Sequence, residues 1–233
     1  MSSELEKLLV PIKQESKKVR VGADEDGGYV CLQTSLSKGM DVLSFGVGPV
    51  ITFEKDLMDN YDATVTCYDE AVEIPLTTLN RYPKLTYVKE FLTKENVNKI
   101  FDEYQFPVLV QMDIEGCEFD FFETITPKNM EKIETLILEL HFEWPIKIDK
   151  QRILDNLKRL NETHVCYHLH GNNNLYGVVE GTEVPIALEA SYIRKDLSTG
   201  TEVDNQTYPL RGLDFKNTGD QRPDFIMNWW CSK

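Results

Sequence analysis

The stretch "SFGVGPVITFE" (residues 44–54) follows the apolar pair Val42–Leu43 and decides the fold. A short β-prone run ends in two glycines, Gly46 and Gly48, and passes into an amphipathic segment. Strand, glycine turn and helix in this order are how α/β proteins build a nucleotide-sized pocket.

The rest of the chain repeats that alternation. Candidate strands lie at 42–46, 64–68, 85–88, 107–113, 135–141 and 164–170, with helix-like stretches near 52–60, 76–80, 94–104, 118–132 and 149–161. The last helix is the clearest: Ile153, Leu154, Leu157 and Leu160 share a face, and Asp149 stands at its start as an N-cap. "PVLVQM" and "TLILEL" are nearly continuous apolar runs, as strands covered on both faces require. Residues 4–18 read as an N-terminal helix, and "RVGADEDGGYVC" (20–31) as a turn with strand-like flanks. After Gly171, "VPIALEASYIRK" (184–195) and "DFIMNWW" (224–230) are strand-like, with a long loop over 196–223. Trp229 and Trp230 alternate along the last of these, one of them expected in the core. The expectation is a mostly parallel sheet that ends in antiparallel strands. No linker divides the chain, so 1–233 reads as one domain in which segment 1–40 precedes a sheet domain over 41–233.

Composition narrows the function. The net charge is −14, and no basic cluster exceeds Lys17-Lys18-Val19-Arg20, which disfavours a nucleic-acid partner and suits a small neutral acceptor. There is no apolar run of membrane-spanning length, and the charged N-terminus lacks a signal core; a soluble cytoplasmic protein is expected. Cysteines 31, 67, 117, 166 and 231 are scattered without a CxxC, and predict neither a disulfide framework nor a structural zinc.

A dinucleotide fingerprint needs a third glycine where this chain has Ile51. Gly-x-Gly alone suits S-adenosylmethionine (SAM), which has no pyrophosphate to cradle. Asp69, about twenty residues on at the end of the next strand, is placed to accept the ribose hydroxyls.

Ligands of open α/β sheets lie outside the carboxyl ends of the strands. Three such ends carry polar pairs two residues apart: Asp113 and Glu115, Glu139 and His141, His168 and His170. Side chains at i and i+2 of a strand share a face, so the pairs converge on one edge. His164 starts its strand and belongs to the opposite edge as a structural residue. His141 or His170 would remove a proton from an acceptor hydroxyl. Alternatively Asp113, Glu139 and His141 would hold Mn²⁺ or Mg²⁺ and lower the hydroxyl's pKa. Asn172, Asn173 and Asn174 offer amides to sugar-like hydroxyls, and Asp26 to Tyr29 form a candidate lid.

These motifs resemble a known family. "LVQMDIEGCEFD" is similar to the DIEG-E segment of FkbM-like SAM-dependent methyltransferases. "RVGADEDGGYV", "LSFGVGPVITFE", "LILELHF" and "HLHGNN…VPIALEASYIRK" resemble the related branch called methyltransferase-like 24, or Methyltransf_22, from about Arg20 to the tail. The resemblance implies a class I methyltransferase (Rossmann-like) fold, with seven strands, an antiparallel last strand and helices on both faces. It also implies SAM as donor and an oxygen acceptor on a sugar or glycan, for example a deoxysugar such as rhamnose. By carry-over, Gly46, Gly48 and Glu54 line the SAM pocket, Asp69 holds the ribose and Asp113 sits beside the transferring methyl. Glu139, His141 and His170 then face the acceptor. Metal-binding acids at the ends of the fourth and fifth strands match Asp113 and Glu139. The chain departs from the general pattern at Ile51, and at Ser44, where many methyltransferases carry an acid. A nucleotide-sugar oxidoreductase and a non-catalytic SAM- or glycan-binding module are the competing readings.

Overall fold

The computed structural model describes residues 4–105, 108–142, 149–174, 176–179, 182–219 and 222–228. A short helix α1 (Glu4–Leu8) leads to an antiparallel hairpin of β1 (Lys18–Gly22) and β2 (Gly28–Leu32). Alternation then begins with β3 (Asp41–Phe45), α2 (Thr52–Tyr61), β4 (Thr64–Tyr68), α3 (Leu76–Arg81), β5 (Leu85–Val88) and α4 (Val97–Asp102). It continues through β6 (Val108–Met112), α5 (Glu118–Thr124), α6 (Pro127–Met130), β7 (Ile133–His141), α7 (Lys150–Thr163) and β8 (His164–Gly171). A small hairpin of β9 (Tyr176–Val179) and β10 (Thr182–Pro185) precedes β11 (Ala187–Arg194).

The main sheet has seven strands in the order β5-β4-β3-β6-β7-β11-β8. Neighbours from β5 through β7 are parallel, and β11 runs antiparallel to both β7 and β8. Counted within the sheet this is 3-2-1-4-5-7-6, with the last strand reversed and inserted between its two predecessors. It is the class I methyltransferase, Rossmann-like arrangement. The order reverses between β3 and β6, which opens a crevice at their carboxyl ends.

Strand alternation splits the core into two faces. On one, Ile100, Phe101, Phe119, Phe122, Ile153, Leu157 and Leu160 from α4, α5 and α7 pack with Leu43, Phe45, Val110 and Leu138. On the other, Phe53 and Leu57 of α2 join Val21 and Tyr29 of the β1–β2 hairpin over Val42, Val65, Leu109 and Ile137. Each such fully buried aliphatic side chain contributes about 1.5–3 kcal/mol. The α7 stripe is buried as its period required, and Asp149 accepts the Gln151 N–H at 2.9 Å as its cap.

Several local expectations are corrected. The N-terminal helix ends at Leu8 rather than 18, because Pro11 disfavours helix before it and Lys18 already belongs to β1. The stretch 118–132 is two helices: Pro127 starts the second, and Thr126 accepts the Asn129 N–H to cap it. The stretch 184–195 breaks at Ile186, so that β10 and β11 are separate strands. The segment 224–230 is no strand among its described residues; it makes one bridge, Met227 with Tyr208, since β11 already fills the gap between β7 and β8. Trp229, Trp230 and Cys231 lie outside the described residues. The described cysteines are free thiols. Among the described residues, no helix is long and apolar enough to cross a membrane.

Candidate active site

The crevice is built where the ends of β3, β4 and β6 are locked together. The Asp113 N–H donates to Phe45 O at 3.0 Å, and the Gly46 N–H donates to Tyr68 O at 2.9 Å. Gly46 has φ +71°, and a Cβ on it would lie 1.7 Å from the Asp113 carbonyl oxygen, so only glycine fits where the two ends meet. Gly48 has φ +59° and donates its N–H to Asp69 Oδ2 at 3.1 Å. Asp69 Oδ1 accepts the Ala71 and Val72 N–H groups at 2.8 and 3.0 Å. This buried carboxylate therefore anchors the glycine turn to the end of β4.

A cavity of about 260 Å³ opens along residues 46–50, and Glu54, Gln111 and Asp113 also line it. Asp26, Gly27 and Tyr29 of the candidate lid also line it. Thr52 Oγ1 donates to Gly27 O at 2.7 Å and pins the hairpin turn to the start of α2. Beside the cavity runs a buried polar chain. Ser44 Oγ lies 2.5 Å from Glu54 Oε1 and 2.6 Å from Gln111 Oε1, and the Gln111 amide donates to Tyr29 at 3.3 Å. One hydroxyl hydrogen faces two acceptors, which is resolved when Glu54 carries a proton; burial raises its pKa in that direction.

Next to Asp113 lie Glu139 and His141. One potential ligand atom from each falls within 4.8 Å of the others. His141 Nε2 is 3.8 Å from Asp113 Oδ1 and 3.5 Å from Glu115 Oε2, while Nδ1 is 3.1 Å from Glu118 Oε1. Glu139 is buried and accepts the Asn172 amide at 2.5 Å. Burial raises Asp113 to about 6, against the pull of His141. Burial also raises Glu139, and the Asp113 charge adds to this. Burial alone would lower His141, but the Glu118 hydrogen bond and the surrounding carboxylates raise it to about 9. Asp113 Oδ1 is buried without a hydrogen-bond partner. Two carboxylates, one with an orphaned oxygen, and an imidazole form a donor set that fits Mn²⁺ or Mg²⁺.

The remaining expected residues are placed less centrally. Glu115 is not on the strand, which ends at Met112; it sits in a left-handed turn with φ +53°, its side chain 86% exposed at the site's rim. His168 is buried with Nε2 2.7 Å from Asp214 Oδ1, so its ring serves the 204–214 loop. His170 is enclosed, Nδ1 3.0 Å from Glu189 and Nε2 3.6 Å from Asp224. Burial would lower its pKa, but the two carboxylates raise it to about 10. Asn173 holds the tail loop, donating to Arg222 O and accepting the Thr218 N–H. His164 lies at the opposite edge, bonded to Ile133 O at the start of β7. Sequence reading missed Gln111, Glu118 and Glu189. The polar Gln111 inside "VLVQM" was a usable signal, as was the last acid of DIEG-E, Glu118. Glu189 offered none, because an acid in "ALEASY" reads as ordinary alternation.

No protein-family model matches the chain, and no curated protein does. Among solved structures, it is similar to a fibrillarin pre-rRNA processing protein from Methanococcus jannaschii, at 9% identity and TM-score 0.47 over 78% of this chain and 83% of that one. It is also similar to a precorrin-6y C5,15-methyltransferase from Geobacter metallireducens, at 10% identity and TM-score 0.40 over 69% of this chain and 83% of that one. These likenesses are weak, and the class I fold is read from the strand order and polarity of the sheet itself.

Proposed function

We propose that the chain is a SAM-dependent O-methyltransferase acting on a hydroxyl of a sugar or glycan. One observation carries this reading: Asp113 belongs both to the glycine-turn cavity and to the cluster with Glu139 and His141. A donor in the cavity and an acceptor at the cluster would meet at that residue.

In the reaction the acceptor oxygen attacks the methyl carbon in line, the carbon–sulfur bond breaks, and S-adenosylhomocysteine leaves with the electron pair. The protein's part is to align the two molecules and to accept the hydroxyl proton. His170 is sealed between two acids, and His141 holds its own proton among carboxylates, so neither is a free base. Asp113, raised to about 6, is the group suited to take the proton near neutral pH. Tyr29, which lines the cavity, and Asn172, beside Glu139, would be the neutral groups that hydrogen-bond acceptor hydroxyls. In the variant mechanism Asp113 would instead act as a ligand, and with Glu139 and His141 would hold a divalent cation, which lowers the pKa of a hydroxyl bound to it.

The test is transfer of labelled methyl from SAM to a panel of free sugars, deoxysugars and oligosaccharides. A labelled methyl ether, absent with Asp113→Ala, supports the proposal. Transfer confined to amines or thiols would overturn the O-acceptor assignment.

A further inference from the structure

We propose that Glu118 is a positioning residue that fixes His141 with Nδ1 protonated and Nε2 turned toward Asp113, as the nitrogen that would bind a divalent cation. The inference rests on the cation reading of the preceding section. Glu118 opens α5 and is 0% exposed. Its Oε1 accepts three N–H groups: Ile114 and Gly116, each at 3.2 Å, and His141 Nδ1 at 3.1 Å.

Two of these donors belong to the loop that carries Asp113 off β6. That loop turns through Glu115 at φ +53° and Gly116 at φ +97°, a conformation that needs outside support. The third donor is the ring of His141 on β7. A single carboxylate oxygen therefore ties the backbone bearing one candidate ligand to the side chain of another.

The bond also selects the ring's hydrogen. A carboxylate only accepts, so a proton stays on Nδ1, and Nε2 is the nitrogen whose proton a cation would displace. Nε2 is the atom that faces Asp113 and Glu115. Oε2 is buried without a hydrogen-bond partner, so Oε1 carries the whole acceptor role of this carboxylate. Burying a carboxylate is expensive unless its acceptor role is used. Outer carboxylates of this kind typically change metal affinity 10–100-fold.

The experiment measures Mn²⁺ binding by electron paramagnetic resonance for the wild type, Glu118→Ala, Glu118→Gln and Glu118→Asp, with circular dichroism as the folding control. The Mg²⁺-saturated proteins are also compared by ¹⁵N–¹H correlation of the His141 ring. Glu118→Ala should bind Mn²⁺ at least ~10-fold more weakly and lose the Nδ1–H signature. Glu118→Gln, which keeps an acceptor oxygen at the same reach, should retain the signature and lose less affinity. If Glu118→Ala does not fold, Glu118→Asp takes its place, with the shortened reach expected to weaken binding more than the amide does. Wild-type affinity in a folded Glu118→Ala or Glu118→Asp overturns the inference alone. No Mn²⁺ binding by the wild type overturns the cation reading, and this inference with it.

Discussion

Glu189 on β11 stands directly opposite Glu139 on β7 in the antiparallel pairing, two carboxylates side by side on one face of the sheet. Each is answered from a different direction. Asn172 donates to Glu139, whereas His170, the partner of Glu189 in the β11–β8 register, and Asn217 serve Glu189. The reversed last strand thus extends the acidic edge begun by Asp113 and Glu139, and His170 supplies compensating charge. Glu189→Ala would leave His170 buried with Asp224 alone. A loss of about 3–5 kcal/mol in urea unfolding is expected, with Glu189→Gln costing clearly less. Equal, small losses for both would show that the pair does not carry this charge balance.

Gly46 and Gly48 separate two kinds of glycine requirement. Gly46→Ala places a methyl against the Asp113 carbonyl, whereas Gly48→Ala meets no heavy atom within 4 Å and bears only the left-handed φ. Gly48→Ala is expected to cost about 1–2 kcal/mol. Gly46→Ala should cost more and displace Asp113. Thermal melts that rank the two the other way would contradict the packing described here.

Burial of Glu54 in the Ser44–Glu54–Gln111 chain favours its protonated form. Glu54→Gln, whose amide can donate to Ser44 as a carboxylic acid does, should keep most of the stability and of the cofactor affinity. Glu54→Ala leaves Ser44 and Gln111 mismatched in a buried site and is expected to lose about 1–3 kcal/mol. Chemical denaturation of both variants at neutral pH distinguishes these outcomes.

Acid sensitivity has a definite source at the far edge of the sheet. His164 is buried, its Nε2–H bonded to Ile133 O and its Nδ1 facing Thr163 Oγ1. Burial holds its pKa down at about 4, against an ordinary value of 6.5. As pH falls, the unfolded chain therefore takes up this proton first. The contribution is fully present above pH ~6.5 and is lost as pH falls to about 4, on the order of 3 kcal/mol in all. The slope of unfolding free energy between these values should shrink in His164→Asn; an unchanged slope would assign the acid loss elsewhere.

Local pattern made much of the fold legible. The strands at 64–68 and 85–88 carry their expected bounds because alternating or continuous apolar runs end in turn residues there. Asp113, Glu139 and His141 converge because β6 and β7 are parallel neighbours, so acids and imidazole at their carboxyl ends share an edge. What escaped the sequence depends on pairing between distant segments. Glu189 gains its meaning only from the insertion of β11 between β7 and β8. Spacing alone assigns His168 and His170 of β8 to the site, but Asp214 engages His168 in a buried hydrogen bond, and Glu189 and Asp224 enclose His170. Glu115 was misplaced by carrying strand geometry past Met112 into a left-handed turn.

The most direct test of the methyltransferase reading is calorimetric titration of SAM and of S-adenosylhomocysteine into the intact protein, with and without Mn²⁺ or Mg²⁺. Micromolar binding of both, weakened by Gly46→Ala and with a heat that changes with metal, is the expected result. No binding of either under any condition would contradict a SAM site in the glycine-turn cavity, and with it the proposed methyl transfer.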